Sequence, residues 1–556
     1  MKKAILLLLA LIVAAIILIW GWHSYSVKSA APPPPTIVRV YFAGAANISS
    51  DTNSAAFTNT FCCAQARVLE SQTLDKLSRA PGAWFKSKLS AGAGDGSAQL
   101  RPLLDDLLRS EWVFEMRGAP TSQEYTLAIR LDDSRAQLWQ TNLRTVLESW
   151  TQIKAQNITN GWELKKDLPP NLVRVVRATN WLIVACGQDN LPWGDAWAGG
   201  QAPDENETNW LSAKVDWPQL AQIFPVFGQF GLPAMQLQVE GRGGNLLPSG
   251  TFDLSQPLPS LEPWQIPTDM IHQPLTSFTA IRGFAPWLER QSWAQWLEPA
   301  AESDQAFIWS LGLSPVQTFI AVPVTNGATA LAQLGQSLAT DTNWEKYLSS
   351  PFALYKTTNQ IGLPGVPFVK PEVRAISDPS GDFLFADVFP NMPGGEPPPE
   401  LFQQLNRTNL VFYHWEITSE RLKDLPQLTQ LALDLTGHRQ LDQASASALW
   451  LKRVAPTLGG SATEVIQTGP TELSFKRSAP TGLTAIELLA LGEWLEAPNF
   501  PGFDISLHYR RPTPRRHVPK KTHTPVVAPA AHTSANQNSP INRPSSNTVS
   551  TVPKKP

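Results

Sequence analysis

The sequence predicts an α+β chain: one N-terminal transmembrane helix, then a duplicated unit of antiparallel sheets with helices packed on one face, then a disordered basic tail. Three observations predict this. Residues 4–22 carry no charge, period-two and helical patterns alternate from 37 to 504, and no Asp or Glu follows Asp504.

Lys2 and Lys3 precede the apolar run, and Trp20 and Trp22 close it. As a helix this run spans roughly 28 Å, close to the hydrocarbon thickness of a bilayer. Two lysines before it and only Lys28 soon after it place the N-terminus in the cytoplasm and the body outside, and the indoles suit the headgroup zone. The cleavage sites Val27-Lys28-Ser29 and Ser24-Tyr25-Ser26 are poor. The expected membrane partner is therefore reached through residues 4–22, and the expected location is the inner membrane, single-pass, with a periplasmic body. Pro32 to Pro35 then form an extended spacer.

In the body, Ile37 to Phe42 reads as a strand. Phe57, Phe61, Ala64 and Val68 recur at helical spacing, as do Leu100, Leu103, Leu104, Leu107 and Leu108. Trp112, Phe114 and Met116 alternate, a turn follows at Gly118-Ala-Pro120, and Tyr125, Leu127, Ile129 and Leu131 alternate again. That is a hairpin. Leu138, Val146, Leu147 and Trp150 mark a helix. Leu172–Arg177 pairs with Trp181–Gly187, Trp210–Val215 leads into a helix at Pro218, and Gly241 to Asn245 turns between two further strands.

The second part repeats this order. Asn409 to Ile417 followed by Ser419 to Leu425 parallels Asn209 to Asp216 followed by its Pro218 helix. A repeat of supersecondary order with little residue identity predicts duplication. The organisation read from these patterns is 1–28 stub and anchor, 29–36 spacer, 37–265 first half, 266–306 Trp-rich connecting segment, 307–504 second half and 505–556 tail. The connecting segment carries Trp287, Leu288, Trp293, Trp296 and Leu297, and is expected to pack the halves together. Trp264-Gln-Ile-Pro267 and Ser277-Phe-Thr-Ala-Ile-Arg-Gly283 resemble envelope proteins of the Verrucomicrobia–Planctomycetes group, over about half the chain. That resemblance implies no function.

The tail holds Arg510, Arg511, Arg515, Arg516, Lys520, Lys521, Arg543, Lys554 and Lys555. Its composition predicts disorder. Without these nine and Lys2, Lys3 and Lys28, 33 basic residues face 47 acidic ones, so the body is near −14. Arg510 to Lys521 are the expected contacts to an anionic envelope surface or polymer, and nucleic acid is not expected. Only three cysteines occur, which excludes a disulfide framework. One bridge is considered, Cys186 with Cys62 or Cys63, against three buried thiols.

The chain lacks Gly-x-Ser-x-Gly, His-Glu-x-x-His and Cys-x-x-Cys. Ala91 to Gly96 lies between helices and has no P-loop lysine, so it reads as a linker. Asp105-Asp106 and Asp132-Asp133 point apart whether on a helix or on a strand, and read as solvated surface. His414 lies in an apolar strand and reads as structural. His508, His517, His523 and His532 are too irregularly spaced for a metal site. No catalytic residue, cofactor or metal is assigned. The first functional expectation is a non-enzymatic envelope scaffold or binding module. The alternative is a carrier of apolar ligands on a sheet lined by Trp and Leu, and a hydrolase comes third. A cavity would favour the carrier, and a filled core the scaffold.

Overall fold

Strands with two unlike faces carry the architecture. The computed structural model describes residues 35–88, 94–119, 122–166, 171–188, 190–200, 209–285, 304–312, 317–340, 355–362, 371–388, 396–435, 444–497 and 500–502. The first ten strands are β1 (Thr36–Phe42), β2 (Trp112–Ala119), β3 (Ser122–Arg130), β4 (Gln156–Ile158), β5 (Gly161–Lys165), β6 (Leu172–Ala178), β7 (Trp181–Gly187), β8 (Leu211–Val215), β9 (Ala234–Arg242) and β10 (Asn245–Asp253). The next ten are β11 (Leu275–Arg282), β12 (Gln305–Leu311), β13 (Gln317–Val324), β14 (Tyr355–Lys356), β15 (Gln360–Gly362), β16 (Glu372–Asp378), β17 (Gly381–Asp387), β18 (Leu410–Ile417), β19 (Gly460–Gln467) and β20 (Glu472–Ser478).

All neighbours pair antiparallel. From one edge the order is β4-β5-β6-β7-β3-β2-β1-β8-β9-β10. It continues β20-β19-β18-β11-β12-β13-β17-β16-β15-β14. Every pairing in the first ten strands recurs in the second ten, ten strand numbers on.

The expected fold class is corrected in three respects: its sheets, its membrane helix and the placing of its helices. The strands do not form separate sheet units but one 20-stranded sheet, because β10 and β20 bond along Ser249–Lys476 to Asp253–Glu472. Each would otherwise present an open edge of unpaired backbone groups. The membrane helix expected over 4–22 lies outside the described residues. Among the described residues no helix is long and apolar enough to cross a membrane. The longest of these, 25 residues from Ala64 to Lys88, carries Arg67, Glu70, Asp75, Lys76 and Arg79. The anchored, single-pass expectation is corrected to that extent: no described helix supports it.

Twelve helices occur among the described residues: α1 (Ala45–Ser50), α2 (Ala55–Phe61), α3 (Ala64–Lys88), α4 (Ser97–Arg109), α5 (Asp133–Thr151), α6 (Pro192–Ala198), α7 (Trp217–Ile223), α8 (Gly327–Thr340), α9 (Pro399–Leu405), α10 (Thr418–Leu435), α11 (Ala446–Val454) and α12 (Ala485–Glu496). The stripe Phe57, Phe61, Ala64, Val68 is not one helix. It breaks at Cys62-Cys63 between α2 and α3, and Val68 is exposed.

Helices do not keep to one face. In the first half Trp112, Phe114, Tyr125 and Leu127 face a core under α3, α4 and α5, while Tyr41, Val113, Ala128 and Ile183 point the other way, toward Trp197 of α6. The first core also takes in Leu422, Leu425, Trp450, Leu451, Leu488 and Leu495 from α10 to α12. Trp450 Nε1 donates to Thr60 O at 2.9 Å, and Lys76 Nζ donates to the carbonyls of Leu495, Glu496 and Ala497 that end α12. Helices from the second half thus complete the core of the first.

The second half has its own core on the opposite face: Phe278, Phe307, Trp309, Phe319, Phe383 and Phe385, closed by Met270, Ile271 and Leu405. Trp264 packs on Phe307 with ring centroids 5.7 Å apart. Buried Arg282 lies over Trp264 and donates to the carbonyls of Glu262, Arg407, Thr408 and Leu410. The residues that carry the envelope-protein resemblance therefore close this core. Trp287 to Leu297, expected to pack the halves together, lie outside the described residues.

Candidate functional site: an apolar cavity under the first half

Helical periodicity on three helices and strand alternation on four strands converge on one space. α4 presents Leu100, Leu103, Leu104 and Leu107 along one stripe, and α3 adds Leu77 and Pro81. α5 presents Trp139, Leu143, Leu147 and Trp150. The sheet wall is Phe114 of β2, Tyr125 and Leu127 of β3, Val184 and Cys186 of β7, and Val173 and Val175 of β6. Together they line a half-open cavity of about 200 Å³. No lining residue is Asp, Glu, Lys, Arg or His. Val184 and Cys186 are only partly buried although β7 is paired on both sides, because they face this space. Pro81, Leu100, Leu143 and Leu147 are also partly exposed.

The indole N–H groups are bound elsewhere, so the rings offer carbon to the cavity. Trp139 Nε1 donates to Asp106 Oδ2 at 2.9 Å, and Trp150 Nε1 to Gly94 O at 2.9 Å. Gly96 sits at φ 66°, where a Cβ would meet Trp150 Cζ2 at 2.9 Å, so glycine there lets the ring approach. Asp106 also accepts from Arg135 Nε and Nη2, which fastens α5 to α4. The carboxylate pairs read as solvated surface thus divide. Asp106 is buried, whereas Asp132 caps α5 by accepting from Arg135 N, and Asp133 pairs with Arg177. No local signal marks Asp106's role, since its partners lie 29 and 33 residues on.

Two polar side chains line the cavity, and they are register partners: Tyr125 on β3 and Cys186 on β7. The Tyr125 ring is buried and its hydroxyl makes no hydrogen bond. Burial pushes its ionisation well above the ordinary phenol value, with Cys186 adding to the shift. Burial, with the Glu124 carboxylate, pushes the Cys186 thiol up to about 12. Both groups are neutral and protonated at physiological pH. All three cysteines are free thiols, so the bridge from Cys186 to Cys62 or Cys63 is not formed.

A second cavity, of about 260 Å³, is lined by Ile320, Val373, Ala386, Leu338 and Ile361 among others. It holds the equivalent place. The register row Tyr125–Cys186–Val173 across β3, β7 and β6 corresponds to Ile320–Ala386–Val373 across β13, β17 and β16. The row keeps its place and loses both polar groups.

His414 does not open a catalytic centre. Its Nδ1 lies 2.8 Å from Thr279 Oγ1, its strand partner, and its Nε2 lies 3.5 Å from Glu416 Oε2. Glu416 accepts from Ala485 N and Thr418 Oγ1, clamping β18 to the start of α12. Burial pushes the Glu416 carboxyl up, but His414 and these donors hold it below the ordinary value. Among the described residues no three His, Cys, Asp or Glu side chains converge to hold a metal. Arg510, Arg511, Arg515, Arg516, Lys520, Lys521 and the histidines from His508 onward lie outside the described residues.

No family model matches the chain, and no curated protein matches it. A solved structure titled "Structure of crystal form I of TP0453" is similar over 41% of this chain and 98% of that chain, at 6% identity and a TM-score of 0.20. A likeness that slight carries no argument about function.

Proposed function

We propose that the protein binds small apolar ligands in the cavity between α3, α4, α5 and the first half of the sheet. One observation supports this reading: a space of about 200 Å³, lined by Leu, Val, Trp and Phe, at a place where a scaffold would need only a filled core. A ligand that enters recovers contacts the bare walls lack. An apolar cavity of about 150 Å³ stays dry and admits benzene, so this one has room for about eight or nine heavy atoms.

Titration of the full chain with cumene, followed by calorimetry or ligand-detected NMR, tests the reading. Saturable binding at one site is expected, together with a rise in Tm. Absence of saturable binding, with the protein folded, would leave the scaffold expectation in its place.

A further inference from the structure

We infer that the second half of the sheet holds a separate site for an amphipathic carboxylate, a medium-chain acid whose chain lies on Ile308 and Ile320 and in the second cavity, with its carboxylate on Arg421. The apolar end is one register row. Ile308, Ile320, Ala386, Val373 and Ile361 are successive partners across β12, β13, β17, β16 and β15. The last four line the cavity of about 260 Å³. Ile320 is nevertheless 40% exposed, and Ile308 beside it 39%. Cavity and exposed pair thus form one apolar strip, roughly 19 Å long at about 4.8 Å between strands. Glu372 and Asp387 also border the cavity, but strand alternation turns their side chains to the opposite face, where Arg374 meets them.

The next row of the same strands is polar. Ser310 and Thr318 are partners with Oγ and Oγ1 3.1 Å apart, and Thr318 lines the cavity as well. Arg421 Nη1 donates to Ser310 Oγ at 3.0 Å, so its guanidinium stands one hydroxyl pair from the cavity wall. Arg421 forms no other hydrogen bond and no ion pair among the described residues. Its Nε is buried without a partner, whereas Nη2 is not among the buried atoms. Burial disfavours the charged form, and Glu416 and Asp424 offset this from a distance. Glu416 is already engaged by Ala485 N, Thr418 Oγ1 and His414. A brace to Ser310 would need no charge. A half-buried cation with an open Nη2 and no paired carboxylate suits an anion, which it binds more strongly than a neutral group.

Decanoate and decanol share a chain and differ in charge. Their dissociation constants would be measured on the full-length wild type and on Cys186→Leu, which fills the first cavity. Arg421→Met and Ala386→Leu would each be added to Cys186→Leu. Decanoate should bind the wild type and Cys186→Leu equally. Arg421→Met should weaken decanoate by about tenfold or more, the worth of a hydrogen bond to a charged group. It should leave decanol binding and Tm unchanged, which shows that the strip is intact. Ala386→Leu should weaken both ligands. If Arg421→Met weakens both alike or neither, the carboxylate is not on Arg421 and the inference fails. Loss of decanoate binding in Cys186→Leu would place the acid in the first cavity and overturn the second site. If decanoate does not bind the wild type, the second site fails, while cumene binding still decides the apolar-ligand reading.

Discussion

The first half of the sheet puts its large side chains on the face under α3 to α5, whereas the second half puts them on the opposite face. Trp112, Phe114 and Leu127 belong to the first arrangement, and Trp309, Phe319 and Phe385 to the second. The second half's counterpart of the helix-covered wall is small and polar at its centre. Ser277, Thr279, Ser310, Thr318, His414 and Glu416 follow one another across its register. Arg421 of α10 donates to Ser310 Oγ there at 3.0 Å. Identical strand pairing has thus been filled in two ways. Strand order fixes which residues are neighbours. The connections decide which face becomes core: residues 43–111 bring four helices over the first half, whereas the segment around Trp264 and Met270, with α9, closes the second.

Two tryptophans probe the halves at the largest expected effect. Trp450→Ala should cost about 5 kcal/mol, because it opens the shared core and strips Thr60 O of its donor. Trp309→Ala should cost somewhat less, about 4 kcal/mol, since its Nε1 has no partner to lose. Chemical denaturation gives both values. If Trp450→Ala is nearly neutral, the second half's helices do not complete the first core.

Asp387 sharpens the contrast by pH. Burial pushes its carboxyl up to about 6, Arg374 pulls it down, and Glu372 adds to the rise. The folded state therefore keeps a proton that the unfolded chain gives up near pH 4, so stability falls between pH 4 and 6. Asp387→Asn, which mimics the neutral form, should match the wild type below pH 4. Above pH 6 it should exceed the wild type by on the order of 2 kcal/mol. A variant less stable at pH 7 would show that the ion pair with Arg374 outweighs burial.

Cavity filling distinguishes the equivalent positions. Cys186→Leu should weaken cumene binding by tenfold or more while changing stability by about 1 kcal/mol or less. Ala386→Leu, at the same register in the second half, should leave that binding unchanged. Loss of cumene binding in Ala386→Leu would move the site to the second cavity. The smallest effects belong to the caps. Asp132→Ala at α5 and Thr484→Ala in the capping box of α12 should each cost about 1 kcal/mol in thermal unfolding. A clearly larger cost for Asp132→Ala would mean that α5 depends on its cap more than on Asp106.

What the sequence determined by itself is local. Alternation at Trp112–Phe114–Met116 and Tyr125–Leu127–Ile129 is a hairpin because the strand period is two. The Leu100–Leu107 stripe is a helix face because that period is 3.6. The order strand, helix, strand pair, strand-helix and hairpin is legible from such signals in both halves. Only the tertiary structure decided the rest. It joined β10 to β20 in one sheet, brought α11 onto α2 and α3 across a separation of 390 residues, and put the aromatic core on opposite faces of the two halves. It also buried Asp106 and the unpartnered Tyr125 hydroxyl. The physical reason is one of range. Backbone geometry sets periodicity within a few residues, whereas burial and hydrogen-bond satisfaction depend on what distant segments deliver to the same place.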